Sequence, residues 1–136
     1  MPRDLFVLTN NPMVRDIWAS ELDIDYRPDL SFRQVLIAAR DLVYAGHRLY
    51  THPLAGSVKP NETPYKSVAL SRTAGRFDPA EAEIMANAVI TADKFPDRGV
   101  RLNDRVLEDF RLIDYTLLSG ALDLDARAGL CRNHKE

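Results

Sequence analysis

Cysteine is nearly missing from this chain, with Cys131 as the single example. One thiol excludes an internal disulfide and any metal site built on several cysteines. Long apolar runs are missing too. Nothing approaches the roughly 18 consecutive apolar residues that a membrane-spanning helix needs. Met1 to Leu5 leads straight into a short apolar stretch without a small-residue cleavage site, so a secretory signal is not expected and the cytosol is. A strong excess of one charge is absent as well, the formal net charge being −2. Such a chain has no global field to gather nucleic acid or an anionic membrane, and neither is expected as a partner. The three histidines are widely spread. His47 and His52 fall at opposite ends of one extended segment, ~16 Å apart at strand rise, and His134 lies near the C-terminus, so no metal site is expected.

What is present fits one folded domain. The 136 residues are 46% apolar and 28% charged, enough for a single core and too few residues for two. We read residues 1–120 as one α/β domain and residues 121–136 as a polar, frayed tail. Leu5 to Thr9 is a continuous apolar run, expected for a central strand buried on both faces. Asn11-Pro12 then reads as a cap and first helical position, with Val14, Ile17 and Trp18 on one face. Leu22 to Arg27 alternates with period two, which predicts an edge strand.

Ser31 and Gln34 form a capping-box pattern, and Leu30 is placed to staple onto Val35. The helix that follows carries a broad apolar stripe and ends at Gly46. Arg48 to His52 and Ser67 to Ser71 read as a third and a fourth strand. Asp78-Pro79 opens another helix that Pro96 and Gly99 should end, and Asn103 caps a last one with Val106, Phe110, Ile113 and Leu117 as its stripe. Glu108, Asp109 and Asp114 read as the solvent face of that last helix. Right-handed crossovers then give a three-layer α/β fold: a sheet of about four mostly parallel strands, order 2-1-3-4, with helices on both faces. The direction of the fourth strand stays open, because the segment before it carries no helical period.

Ligands of open parallel sheets sit where neighbouring crossovers diverge, here between strands one and three. Two polar segments are expected to meet there: Thr9 to Pro12, and the loop from Thr51 to Lys66. The stretch from His47 to Lys66 holds Arg48, Lys59 and Lys66 against Glu62, a local +2 on a body that carries −4. Pro53, Pro60 and Pro64 stiffen the loop, and long structured loops are more often functional than passive. The candidate ligand-binding residues are therefore Asn10, Asn11, Thr51, His52, Gly56, Ser57, Lys59, Asn61, Glu62, Tyr65 and Lys66. Backbone amides at the start of the first helix would receive an anion, Ser57 would donate a hydrogen bond, and Lys59 or Lys66 would neutralise charge. His52 is the one candidate for acid–base catalysis, although it could equally bond a loop carbonyl. Asn10 and Asn11 could equally serve only to cap a helix.

Thr9 to Pro12, the run from Gly46-His47 through Thr51 to Ser67, and Leu107-Glu108-Asp109-Phe110-Arg111-Leu112-Ile113-Asp114 together resemble the GrdX family over about Leu5 to Leu118. These are small proteins encoded beside the glycine, sarcosine and betaine reductase components of amino-acid-fermenting anaerobes. The resemblance implies an accessory role in such a reductase system and supplies neither an activity nor catalytic residues. The expectation is an accessory protein that binds a small anionic metabolite. The alternatives are a small enzyme using His52, or an interaction module that docks loop 51–66 on a reductase component or on a second copy of the chain. The sequence identifies no cofactor.

Overall fold

The computed structural model describes residues 4–54, 62–95, 101–122, 124–125 and 130–131. Strand β1 (Leu5–Thr9) lies at the centre of the sheet, as its unbroken apolar run requires. Leu5 and Val7 join one core cluster, whereas Phe6 and Leu8 join another on the opposite face. Helix α1 (Pro12–Trp18) returns the chain, and β2 (Asp23–Tyr26) pairs parallel to β1 with Val7 opposite Ile24. The period-two segment is an edge strand, as expected.

Helix α2 (Phe32–Tyr44) starts on a complete capping box. The Ser31 hydroxyl accepts the Gln34 amide at 3.2 Å, and the Gln34 side chain accepts the Ser31 amide at 2.9 Å. It ends at Gly46, whose φ of 111° lies in the left-handed region that a side chain disfavours.

The strand order differs from the sequence expectation. The main sheet has three strands, order 2-1-3, and is mixed: β3 (Ser67–Ser71) lies beside β1 and antiparallel to it. Arg48 to His52, expected to occupy that place, runs outside β3 and forms only one bridge, Leu49 to Leu70. The Tyr50 amide bonds the Ala69 carbonyl at 2.9 Å, and the Ser71 amide bonds the Arg48 carbonyl at 2.8 Å. A fourth strand of this sheet is not observed among the described residues.

Burial explains the exchange. All five residues of β3 are buried, and fully burying Val68 and Leu70 contributes about 1.5–3 kcal/mol each. The other segment has the polar alternation of an edge, with Arg48, Tyr50 and His52 exposed and Leu49 and Thr51 turned inward. Placing it inside would strand an arginine between two helical layers.

Helix α3 (Pro79–Asp93), capped by Asp78, packs with α2 on one face around Leu8, Val35, Leu36, Val68, Leu70 and Met85. Helix α4 (Asp104–Ala121), capped by Asn103, packs with α1 on the other. There Trp18 is fully buried against Tyr115, and its indole N–H donates to the Ser119 hydroxyl at 3.0 Å. The sheet thus has helices on both faces, as read from the sequence.

Helix α3 ends at Asp93; Pro96 and Gly99, read as its end, lie outside the described residues. Two details depart from expectation. Helix α4 turns a different stripe to the sheet: Tyr115, Leu118 and Leu122 are core, whereas Ile113 and Leu117 are 38% and 37% exposed. Beyond α4, β4 (Leu124–Asp125) and β5 (Leu130–Cys131) pair antiparallel in a part of the tail read as frayed. Among the described residues no helix is long and apolar enough to cross a membrane.

Candidate functional site beside the central strand

Pairing of Thr9 with Ser67 sets Asn10 against Lys66. The Lys66 amide donates to Asn10 Oδ1 at 2.9 Å, and Asn10 Nδ2 donates to the carbonyls of Leu30 and Pro64, both at 2.8 Å. One buried amide therefore ties the end of the long loop to the carboxyl end of β1. The two polar segments singled out in the sequence do meet at one rim of the sheet, although at the start of β3.

Asn11 is fully buried and also fully engaged. Its Oδ1 accepts the Met13 amide at 3.0 Å as the cap of α1, while Nδ2 donates to the Arg111 carbonyl and to Asp114 Oδ2, each at 2.9 Å. The Asn11 amide donates to the Thr9 hydroxyl at 2.9 Å, and the Ser67 hydroxyl donates to Asp114 Oδ2 at 2.7 Å. With its proton committed to Asp114, Ser67 accepts from Thr9 across 2.7 Å. A directed chain runs from Asn11 through Thr9 and Ser67 to the carboxylate. The anion at this rim is the protein's own.

Asp114 is 7% exposed. Burial raises its pKa, against the hydrogen bonds from Ser67 and Asn11 and the attraction of Lys66. Lys66 is also 7% exposed, and burial lowers its pKa against the attraction of Asp114. Its Nζ stands 5.7 Å from the centre of the Phe32 ring. Among the described residues that ammonium has no hydrogen-bond acceptor and no carboxylate oxygen within 4 Å. A buried cation held only by a ring face and a more distant carboxylate is costly to maintain.

Lys66 and Asp114 line a cavity together with Phe32, Leu54, Tyr65, Phe110, Ile113 and Leu117. The empty space among these side chains is about 340 Å³, counting the part open to solvent. Most of that space is open to solvent, and between the side chains there is room for little more than one water molecule. Phe110, Ile113 and Leu117, the stripe expected to face the sheet, face this cavity instead. At its side, Arg111 Nε donates to the Tyr65 hydroxyl at 2.8 Å, leaving the phenolic proton free to donate elsewhere.

The other sequence candidates fall elsewhere. Thr51 is buried, its hydroxyl accepting the Ala69 amide at 3.0 Å, and it braces β3. His52 is exposed, its Nδ1 accepts the Leu54 amide at 3.1 Å, and it is not part of the cavity lining. Glu62 is half-buried and also outside the lining. Gly56, Ser57, Lys59 and Asn61 lie outside the described residues. Asn10 and Asn11 position the loop and α4, with their side-chain amides bonded to protein groups. Of the described candidates, only Tyr65 and Lys66 line the cavity.

Sequence reasoning assigned Asp114 to a solvent face, and the structure buries it. A signal was available: Phe110, Ile113, Asp114 and Leu117 follow the i, i+3, i+4, i+7 spacing of one helical face. An acid embedded in an apolar stripe marks a buried carboxylate. Arg111 and Phe32 carried no comparable signal.

The model of the GrdX-like protein family matches residues 6–123. The chain belongs to this family. The matched span contains every residue that lines the cavity, and both segments of the GrdX-like chain that meet at the rim. Neither the curated proteins nor the solved structures give a match. Among the described residues no cluster of three or more histidine, cysteine, aspartate or glutamate side chains could hold a metal ion.

Proposed function

We propose that this GrdX-like protein binds a small carboxylate at Lys66 and serves as an accessory to an amino-acid reductase system of the glycine, sarcosine or betaine type. One observation carries the binding reading: a buried Lys66 ammonium faces a cavity and lacks an acceptor among the described residues. A carboxylate oxygen placed there would remove the cost of the unpaired charge, and charge-assisted bonds of this kind are roughly twice as strong as neutral ones. The second oxygen can accept from the Tyr65 hydroxyl or from Asp114 in its protonated form, which burial favours. Phe32, Phe110 and Leu117 would border the remainder of a ligand of two or three carbons, which would extend into the part of the space open to solvent. The accessory role rests on family membership and on the setting that the family implies.

Thermal unfolding at constant ionic strength, with acetate, glycine, inorganic phosphate and chloride, tests the binding reading. Acetate or glycine at 100 times the dissociation constant should stabilise the wild type by about 2.7 kcal/mol and leave Lys66→Met unmoved. Equal responses of the two proteins, or none to any carboxylate, would remove the proposal.

A further inference from the structure

Lys66 offers a second chemistry in the same cavity. A lysine amine becomes a nucleophile toward carbonyl carbon when it sits desolvated in an apolar pocket with a proton donor at hand. All three conditions are met here: Lys66 is 7% exposed, the lining residues Phe32, Leu54, Phe110 and Leu117 are apolar, and Asp114 lines the same space. Nothing among the described residues bonds Nζ and holds its lone pair away from a ligand.

We propose that Lys66 captures a small 2-oxo acid or aldehyde as an imine, with Asp114 as the proton donor. The inference rests on the carboxylate reading for entry and placement. The acid group of a 2-oxo acid would take the free proton of Tyr65, beside Arg111, and set its carbonyl carbon toward Nζ.

The nitrogen lone pair forms a bond to that carbon, and the carbonyl π pair moves to oxygen, which takes the proton of Asp114. The nitrogen then returns one proton to the Asp114 carboxylate. Asp114 next protonates the departing hydroxyl, which leaves as water while the nitrogen lone pair forms the C=N bond. The sum is amine, carbonyl and the proton of Asp114 giving a protonated imine, whose positive charge is held beside the Asp114 carboxylate thus formed, and one water. No oxidant or reductant is consumed. Burial lowers the proton affinity of Lys66, which raises the share of neutral amine at pH 7.

The test uses the full-length protein, glyoxylate as the probe and cyanoborohydride to fix the imine as a carboxymethyl-lysine, located by peptide mass spectrometry. Exposed Lys94 serves as the internal reference. Adduct on Lys66 several-fold above the Lys94 level is the expected result. Asp114→Asn should slow labelling of Lys66 without slowing that of Lys94, with circular dichroism confirming that the variant is folded. Thermal stabilisation by glyoxylate without enrichment at Lys66 overturns imine formation and leaves carboxylate binding standing. Loss of both the stabilisation and the adduct overturns both.

Discussion

Replacing Lys66 by methionine should make the protein more stable. The side chain is 7% exposed, and among the described residues its ammonium is supported only by the Phe32 ring face and by the field of Asp114. Methionine keeps nearly the same length and flexibility and removes the desolvated charge. Buried ion pairs exchanged for apolar groups of similar volume often leave a protein 1–4 kcal/mol more stable. Here Asp114 stays behind, yet it retains the hydrogen bonds of Ser67 and Asn11, and burial already favours its neutral form. We therefore expect a gain of about 1–2 kcal/mol, at the low end of that range. At this chain length the gain amounts to a rise in Tm of about 3–6 °C. Urea unfolding followed by circular dichroism would read it as a shifted midpoint at unchanged slope. A loss of 1 kcal/mol or more would refute the reasoning and identify Lys66 as a structural partner of Asp114.

Three further outcomes follow from the same geometry. Asn11→Ala removes the cap of α1 and leaves Asp114 short of a donor, for a loss of about 2–3 kcal/mol in chemical denaturation. Asp114→Asn should flatten part of the pH dependence of stability. The folded-state pKa of Asp114 is raised, so its neutral form stabilises the fold at low pH. That contribution declines as pH climbs from the unfolded carboxyl value, about 3.9, toward the folded one. Wild type should therefore lose more stability than Asp114→Asn over that window, as Tm measured against pH would show. Gly46→Ala should cost at least about 1 kcal/mol, because a Cβ there meets the Gly75 carbonyl oxygen at a backbone φ of 111°. The same Tm series measures it.

Much of this molecule was legible in its residues, for local reasons. Asn11, Ser31, Asp78 and Asn103 each cap the helix they were read to cap, since a short polar side chain before an apolar period has few other uses. The apolar run of β1 and the alternation of β2 gave centre and edge correctly. The exchange of Arg48–His52 with Ser67–Ser71 was not legible from crossover rules, which apply to parallel neighbours joined by a helix. A loop without a helix lets the chain double back, and comparing the burial of the two segments is what settles their places. The rim where Asn10 meets Lys66 came from the pattern of polar turns. Its reagents came only in part: Lys66 was expected and lines the cavity, whereas the amides expected to receive an anion are bonded to Thr9 and to the Asn11 side chain. Grouping Asp114 with Glu108 and Asp109 as the solvent face of α4 missed it because charge was counted before position.

The most direct test is the titration of the Lys66 amine itself, followed by NMR of selectively labelled lysine with and without saturating acetate. The account predicts a midpoint below the ordinary lysine value of about 10.4, moving upward when acetate occupies the cavity and favours the ammonium. A midpoint at the ordinary value, unmoved by acetate, would contradict the central claim that this lysine is buried, unpaired and open to a ligand.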